Sequence, residues 1–265
     1  MNQATQPSTR TVWLTGATSG IGLSVLEMLV AQGHRVIATG RSRDRLDELA
    51  RRHNGLVIPL PGDTTSDEDC ARMGEFLSQQ ESLDWAILNA GTCEYMDVAD
   101  FDAEMVARVM NTNVVGSARS VQAALPALRA SVKQGRAPML ALVSSSAWWF
   151  PFTRAEAYGA SKAALTYFGQ SLRADLKAEN ITVSVVSPGF VKTPLTDQND
   201  FPMPFLISAE DAAERIVSGL AKGRREIQFP KRFTLTLKLM GLLPQWLTDA
   251  LAASMARSNR KDDPA

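Results

Sequence analysis

The sequence has 265 residues, enough for one large α/β domain, and its 28 Lys and Arg residues balance 28 Asp and Glu residues. A net charge of zero without a basic block argues against a nucleic-acid partner. Two cysteines without metal-ligand spacing and a polar N-terminus without a signal peptide's apolar core predict a cytoplasmic protein with no metal site.

Short apolar runs alternate with longer helical stretches along the chain. Most runs are continuous rather than alternating, which is typical of parallel strands covered by helices on both faces. We predict a single Rossmann-like domain over residues 1–265, with a doubly wound parallel sheet of about seven strands. The predicted strands are 11–15, 35–39, 56–60, 84–88, 139–144, 182–187 and 226–230, and the predicted helices are 21–32, 43–53, 67–80, 102–134, 155–179 and 209–222. His34 and His53 fall near helix ends, where we expect solvated side chains.

A glycine-rich turn, TGATSGIG, follows the first strand. At Gly16, Gly20 and Gly22 a side chain would block the approach of the backbone to a pyrophosphate. The N-terminus of the next helix adds free N–H groups and the positive end of its dipole. Tight strand–helix turns also use glycine for geometry alone, but the position after the first strand of an alternating chain favours a nucleotide site that includes Ser19 and Ile21.

Tyr158 and Lys162 lie one helical turn apart in YGASKAAL. Side chains at i and i+4 share a helix face, so the ammonium can lie beside the phenol. That proximity is expected to lower the tyrosine pKa from about 10 toward working pH, which would make Tyr158 a proton donor or acceptor. The same spacing occurs by chance on solvated helices, so the pair needs support from the rest of the chain.

With both the glycine-rich turn and this pair, residues 10–230 resemble the short-chain dehydrogenase/reductase family, which carries TGxxxGxG and YxxxK. Further matches to the family occur in chain order. They are the Asn89-Ala90-Gly91 turn, the helix asparagine Asn113, the serine Ser145 ahead of the tyrosine, and the nicotinamide-contacting segment with Pro188, Gly189, Val191 and Thr193.

The resemblance implies an oxidoreductase that transfers hydride between nicotinamide and a carbonyl or secondary alcohol, with Tyr158 as the general acid/base. Lys162 would lower the pKa of Tyr158 and bind the nicotinamide ribose. Ser145 would hydrogen-bond the substrate oxygen, and Asn113 would hold a water that links Lys162 to solvent. The neighbours of Ser145, Ser144 and Ser146, are expected only to cap the strand end.

The choice of dinucleotide is read at the end of the second strand. An NAD enzyme needs a carboxylate there, whereas an arginine accommodates the 2′-phosphate of NADP. The chain has Arg41 and no acid until Asp44, which favours NADP(H) and leaves NAD(H) open. Two features weaken the argument: Ser19 lies where some NADP-dependent relatives have a basic residue, and RSRDR also reads as a solvated helix start. Asp63 resembles the family's adenine-contacting aspartate, but it also fits a turn or helix cap.

The resemblance implies a small-molecule substrate. The segments expected around the pocket are Trp148, Trp149, Phe150 and Phe152, then Cys93, Glu94 and Tyr95, and the loop 194–207 as a lid. Tandem tryptophans suggest an apolar substrate, although core or subunit packing explains them equally well.

Residues 231–265 form an apolar C-terminal extension, predicted as two short helices broken near Pro244. They would cover the sheet edge, the substrate cleft or a subunit interface. A sharper alternative is a peripheral membrane contact through 231–258, with Lys231, Arg232 and Lys238 at the headgroups.

Two expectations concern the whole molecule. The resemblance implies a homodimer or homotetramer. A different class of function, an NAD(P)-binding regulator or scaffold without turnover, stays open, although such relatives commonly lose the tyrosine, lysine or serine that this chain keeps.

Overall fold

One seven-stranded parallel sheet organises the computed structural model, which describes residues 9–255. The strand order is β3-β2-β1-β4-β5-β6-β7, and every neighbouring pair is parallel. The strands are β1 Thr11–Thr15, β2 Arg35–Thr39, β3 Val57–Pro59, β4 Trp85–Leu88, β5 Met139–Val143, β6 Thr182–Pro188 and β7 Glu226–Phe229. The predicted doubly wound fold is confirmed.

Nine α-helices are present in the described part of the chain. They are α1 Gly20–Ala31, α2 Arg43–Arg52, α3 Asp67–Ser78, α4 Ala103–Met110, α5 Gly116–Lys133, α6 Glu156–Leu176, α7 Ala209–Ala221, α8 Lys231–Met240 and α9 Gln245–Ser254. The predicted helix 102–134 is interrupted by a wider π turn, Asn111–Val115, between α4 and α5. Helices α8 and α9 confirm the two-helix extension, and residues 256–265 lie outside the described residues.

Two apolar cores flank the sheet, because successive strand side chains point to opposite faces. Leu14 packs in one core with residues of α1, α2 and α7, and Trp13 packs in the other with residues of α3, α5 and α6. None of the helices between residues 9 and 255 combines the length and apolarity needed to cross a membrane.

The expectation of a solvated His34 is wrong. Its side chain is 1% exposed, packs edge-on against Trp85, and accepts a hydrogen bond at Nδ1 from the Arg10 backbone N–H. Burial lowers its pKa. His53 is half-buried, with Nε2 3.0 Å from Glu27 Oε2. Both histidines therefore pack against the protein rather than projecting into solvent.

The strand order places the candidate site. The chain runs outward from β1 to β2 and β3, then returns to the other side of β1 to form β4. Such a reversal opens a crevice at the carboxyl ends of β1 and β4, where ligands bind in open α/β sheets. The glycine-rich turn follows β1, and the Asn89-Ala90-Gly91 turn follows β4.

Candidate active site

The glycine-rich turn is fastened to the turn after β4 by Asn89. Its Nδ2 donates to the backbone oxygens of Thr15 and Gly16, both at 3.2 Å. A Cβ on Gly22 would lie 2.0 Å from the Gly16 oxygen, and one on Gly16 would lie 2.9 Å from Asn89 Nδ2. The protein's own packing therefore requires glycine at these positions, and Gly22 lies behind the cleft rather than on its wall.

The first turn of α1 faces the crevice without a side-chain cap. Ser19 is in the N-cap position, but its hydroxyl makes no capping hydrogen bond. In α2, α3 and α7 the N-cap serines do accept one from the first turn. The uncapped N–H groups of α1 are the donors that a phosphate needs.

These turns enclose a cleft of about 410 Å³. Most of the predicted cofactor-binding residues line it. They are Gly16, Ser19, Gly20, Ile21, Asn89, Ala90, Gly91, Tyr158, Lys162, Pro188, Gly189, Val191 and Thr193. Its backbone donors and its close-packed glycine turn fit a dinucleotide pyrophosphate. Sequence reasoning did not identify Thr92 and Val143, which also line the cleft and match no motif that we used. Thr196 and Gln198 of the 194–207 loop, which was expected to form a lid, line the cleft as well.

Besides Gly22, two predicted cofactor residues lie away from this wall. Arg41 is exposed just beyond β2. Asp63 Oδ1 accepts hydrogen bonds from the backbone N–H and the hydroxyl of Thr65, both at 2.8 Å. The described contacts of Asp63 are those of a turn acid, and its adenine contact stays a prediction.

Lys162 is held deep in the cleft from two directions. Its Nζ donates to the Val143 oxygen at 3.0 Å and lies 5.7 Å from the centre of the Tyr158 ring. The Ser144 hydroxyl donates to the backbone oxygen of Lys162 at 2.9 Å and shares a hydrogen bond with the Thr166 hydroxyl. Ser144 thus joins β5 to α6, whereas we had expected only a strand-end cap.

Burial shifts the pKa values of the tyrosine and lysine in opposite directions. It raises the pKa of Tyr158, and a hydrogen bond from the Ser145 hydroxyl opposes this rise only in part. It lowers the pKa of Lys162 to about 8. The expected fall of the tyrosine pKa is therefore wrong for the ligand-free protein, because desolvation exceeds the effect of a lysine whose Nζ bonds Val143.

Asn113 lies in the π turn, fully buried, and connects the turn after β4 to α6. Its Oδ1 accepts from the Thr92 backbone N–H at 2.8 Å, and its Nδ2 donates to the Thr92 oxygen and to Ser161 Oγ, both at 2.9 Å. The Ser161 hydroxyl in turn donates to the backbone oxygen of Tyr158. Asn113 thus positions the helix that carries Tyr158 and Lys162, and its water-holding role stays a prediction.

An apolar cavity of about 590 Å³ adjoins the cleft. Predicted wall residues Cys93, Tyr95 and Phe152 line it, as do residues of the 194–207 loop. The C-terminal extension was expected to cover the sheet edge, the substrate cleft or a subunit interface, and its helix α8 covers the cavity. The lining residues from this extension are Phe233, Thr236, Leu237 and Met240 of α8, and Met255 at the end of α9.

Four residues expected in this wall face elsewhere. Trp149 packs under Lys238, whose Nζ lies 4.8 Å from a Trp149 ring centre, and Phe150 is buried in the cluster beneath α8. Glu94 pairs with Arg108 at 3.0 Å. Trp148 stacks against Trp149 and is also absent from the cavity wall. The tandem tryptophans therefore serve packing, which was the alternative explanation.

The cleft and the cavity meet at Ser145 and Tyr158, which line both. The Ser145 hydroxyl also accepts from the Ala147 backbone N–H at 3.1 Å, so its position is fixed by the turn after β5. Across the cavity, the buried Asn199 Oδ1 has no hydrogen-bond partner among residues 9–255, while its Nδ2 contacts Met203 Sδ.

Known structures share this architecture. A short-chain dehydrogenase from Sphingobium yanoikuyae, described in complex with NADPH, has a TM-score of 0.77 at 23% identity and covers 97% of this chain and 100% of its own. A short chain dehydrogenase from Burkholderia cenocepacia, in complex with NADP, has a TM-score of 0.79 at 24% identity, with 94% and 98% covered. Likeness at these identities shows the fold.

Sequence comparison goes further. An uncharacterized oxidoreductase of Myxococcus xanthus is 35% identical over 249 residues, which span 92% of this chain and 97% of that protein. The 11-beta-hydroxysteroid dehydrogenase 1A of Arabidopsis thaliana is 30% identical over 259 residues, spanning 89% and 72%. The family model for short chain dehydrogenase matches residues 10–202. The chain therefore belongs to the short-chain dehydrogenase family of oxidoreductases.

Proposed function

We propose that this protein is an NADP(H)-dependent oxidoreductase that interconverts a bulky apolar carbonyl compound and its secondary alcohol. One observation carries the proposal: Ser145 and Tyr158 line both the apolar cavity and the glycine-rich cleft. A substrate oxygen entering from the cavity reaches the hydroxyls of these two residues beside a dinucleotide held in the cleft.

The bound dinucleotide supplies or accepts the hydride. Ser145 hydrogen-bonds the substrate oxygen and orients the carbonyl, and Tyr158 donates its proton to that oxygen as negative charge develops there. Burial raises the pKa of Tyr158, so the phenol is protonated at neutral pH, as carbonyl reduction requires. After transfer, the Lys162 ammonium beside the ring stabilises the phenolate. A water held near Asn113 would return the proton from solvent.

The cofactor preference is argued from the end of β2. Gly40 packs against Thr18, where a Cβ would lie 2.9 Å from Thr18 Cγ2, so no side chain projects from that position. The guanidinium groups of Arg41, Arg43 and Arg45 are exposed beyond it, and Arg45 Nη1 reaches the Thr18 oxygen at 3.4 Å. A cluster of cations without an acid at the strand end suits a 2′-phosphate. NADPH and NADP in two structures of the same fold agree with this preference.

Arg41→Asp tests the preference directly. The change replaces a cation that would pair with the 2′-phosphate by an anion that repels it, so kcat/KM for NADPH should fall about a hundredfold relative to NADH. Arg51→Asp, the same charge change on an exposed residue near the other end of α2, is the control. An unchanged NADPH/NADH ratio in Arg41→Asp would remove Arg41 from the cofactor site.

The substrate class follows from the cavity wall. Phe152, Phe190, Phe201 and Phe233 supply aromatic rings, and the polar groups are few. Such a wall favours a large apolar body over a small polar ketone. A relative named for a hydroxysteroid, which is a bulky apolar alcohol, is consistent with this class.

A panel of ketones and secondary alcohols of increasing apolar size tests the reaction. NADPH absorbance is followed as it falls during ketone reduction and as it rises when NADP+ is reduced by the alcohols. The same assays are run in parallel with NADH and NAD+. We expect kcat/KM to rise with apolar size and to be higher with the phosphorylated cofactor. NADPH binding without turnover of any member would instead favour the regulator or scaffold.

A further inference from the structure

We propose that the outer face of α8–α9 docks on anionic phospholipid bilayers and that apolar substrates reach the cavity from the lipid. The docking proposal is argued only from the exposed side chains of the described residues. Substrate delivery rests on the proposed function.

Four large apolar side chains form a stripe along this face. Leu235, Leu239, Leu242 and Trp246 are 59%, 57%, 82% and 72% exposed. Leu235 and Leu239 are four residues apart on one side of α8, Leu242 follows in the turn between the helices, and Trp246 lies in the first turn of α9. Single exposed leucines are ordinary, but several large exposed apolar side chains close together in the chain mark a surface that meets an apolar phase.

We call these four side chains the apolar stripe. The loop that borders the cavity adds two further exposed apolar side chains, since Phe205 is 52% exposed and Leu206 is 41% exposed. The Phe205 ring lies 6.2 Å from the ring of Phe233, a buried residue on the inner side of α8, so Phe205 lies at the cavity.

Cations border Leu235 on both sides. At about 100° per residue, Lys231 and Arg232 lie within about 60° of Leu235 around the helix axis. Both are exposed, whereas the Lys238 ammonium lies over the Trp149 ring. Between residues 231 and 255 the acidic side chain is Asp249, which accepts a hydrogen bond from Gln245. Apolar side chains flanked by basic ones are the pattern of helices that lie in a bilayer interface and pair with anionic headgroups.

This charge distribution favours lipid over a second copy of the chain. In a two-fold contact the face would meet itself and bring the same cations close to each other. An anionic bilayer instead receives the leucines and tryptophan in its apolar layer and the exposed Lys231 and Arg232 at its surface. Residues 256–258, the end of the segment predicted to touch a membrane, lie outside the described residues.

The apolar stripe and the cavity are separated by one helix. Leu235 and Leu239 face outward from α8, while Phe233, Leu237 and Met240 of the same helix line the cavity. Met255, at the end of α9, lines the cavity and is also 45% exposed. Phe205 also lines the cavity and is 52% exposed, so Phe205 and Met255 mark where a lipid-dissolved molecule would enter toward Tyr158.

Co-sedimentation with vesicles tests the docking, using the full-length protein without dinucleotide or substrate. Phosphatidylcholine vesicles are compared with vesicles that also contain phosphatidylserine. Wild type should sediment with the anionic vesicles, and Leu239→Glu/Trp246→Glu should bind at least tenfold more weakly. Lys231→Gln/Arg232→Gln should lose about tenfold on the anionic vesicles alone.

The matched control is Val98→Glu/Phe101→Glu, which adds the same charges at apolar positions that are 68% and 62% exposed elsewhere. It should bind like wild type, and thermal melting confirms that each variant folds. Wild type left in the supernatant with both vesicle types, or equal loss in the control, overturns the docking. A change of oligomer mass in Leu239→Glu/Trp246→Glu without vesicles would assign the face to a second copy. A negative vesicle result would not change the outcome of the ketone-reduction assay, so the docking proposal and the proposed function can be rejected independently.

Discussion

The cofactor cleft and the substrate cavity share Ser145 and Tyr158, but they are built differently. Backbone turns at the ends of β1, β4 and β6 form the cleft, and small residues let those turns pack closely. Side chains from six distant stretches form the cavity: 93–95, 145–147, 152–158, 189–190, 195–205 and 233–255. A wall of backbone restricts the residue type at each position, whereas a wall of side chains needs only apolar bulk.

The largest effect that tests this contrast is expected from Gly22→Ala. A Cβ 2.0 Å from the Gly16 oxygen must displace the turn that carries the first N–H groups of α1. We expect NADPH affinity to fall at least a hundredfold and the melting temperature to drop about 5 °C, because overpacking costs about 1–3 kcal/mol.

Gly159→Ala is the control for Gly22→Ala. Its new Cβ would meet the Ala147 oxygen only at 3.9 Å, and its position in α6 favours alanine. If Gly22→Ala kept both its melting temperature and its NADPH affinity, the cleft would not depend on close backbone packing.

A smaller effect is expected on the cavity side from Phe201→Ala. The Phe201 ring packs edge-on against Tyr95 at 5.5 Å and against Phe190 at 6.1 Å. Its removal should raise KM about tenfold for the largest apolar substrate of the panel, which corresponds to about 1.4 kcal/mol, and leave small ketones and NADPH little changed. Phe101→Ala, which removes an exposed ring outside the cavity, is the control. Equal losses for large and small ketones would argue against a wall that selects by apolar bulk.

The smallest effect concerns pH and Lys162 at the boundary of the two regions. In the folded protein its pKa is about 8, below its ordinary value of 10.5. Between these values the unfolded chain binds more protons, so this group makes stability rise as pH increases from about 8 toward 10. Lys162→Met should remove that contribution, and the rise of the melting temperature over this interval should be smaller than in wild type.

The measurement for Lys162→Met is made without dinucleotide, with exposed Lys133→Met as the control for a lost charge. Above pH 10 the raised pKa of Tyr158 acts with the opposite sign, because the unfolded phenol ionises first. The comparison is therefore restricted to the lower interval. If the melting temperature rose equally with pH in wild type and Lys162→Met, the buried lysine would not be the source of the rise.

The sequence predicted the fold and the cleft because their requirements are local. Continuous apolar strands imply a parallel sheet, and glycines at fixed spacing imply the close turn of Gly16 and Gly22 against Asn89. The sequence predicted part of the cavity wall, but not the part from α8, since nothing local to α8 places Phe233 and Leu237 beside Tyr158. The pKa of Tyr158 was wrongly predicted for a related reason. Helical spacing gives the neighbour Lys162, but burial depends on the whole fold.

The central claim is that Tyr158 moves the proton where the two regions meet. Tyr158→Phe keeps the ring and removes the hydroxyl, so it tests that claim most directly. We predict that kcat for ketone reduction falls about a thousandfold, while the Kd for NADPH, measured by fluorescence titration, stays within about threefold of wild type. Turnover within tenfold of wild type, with NADPH bound equally well, would contradict the account.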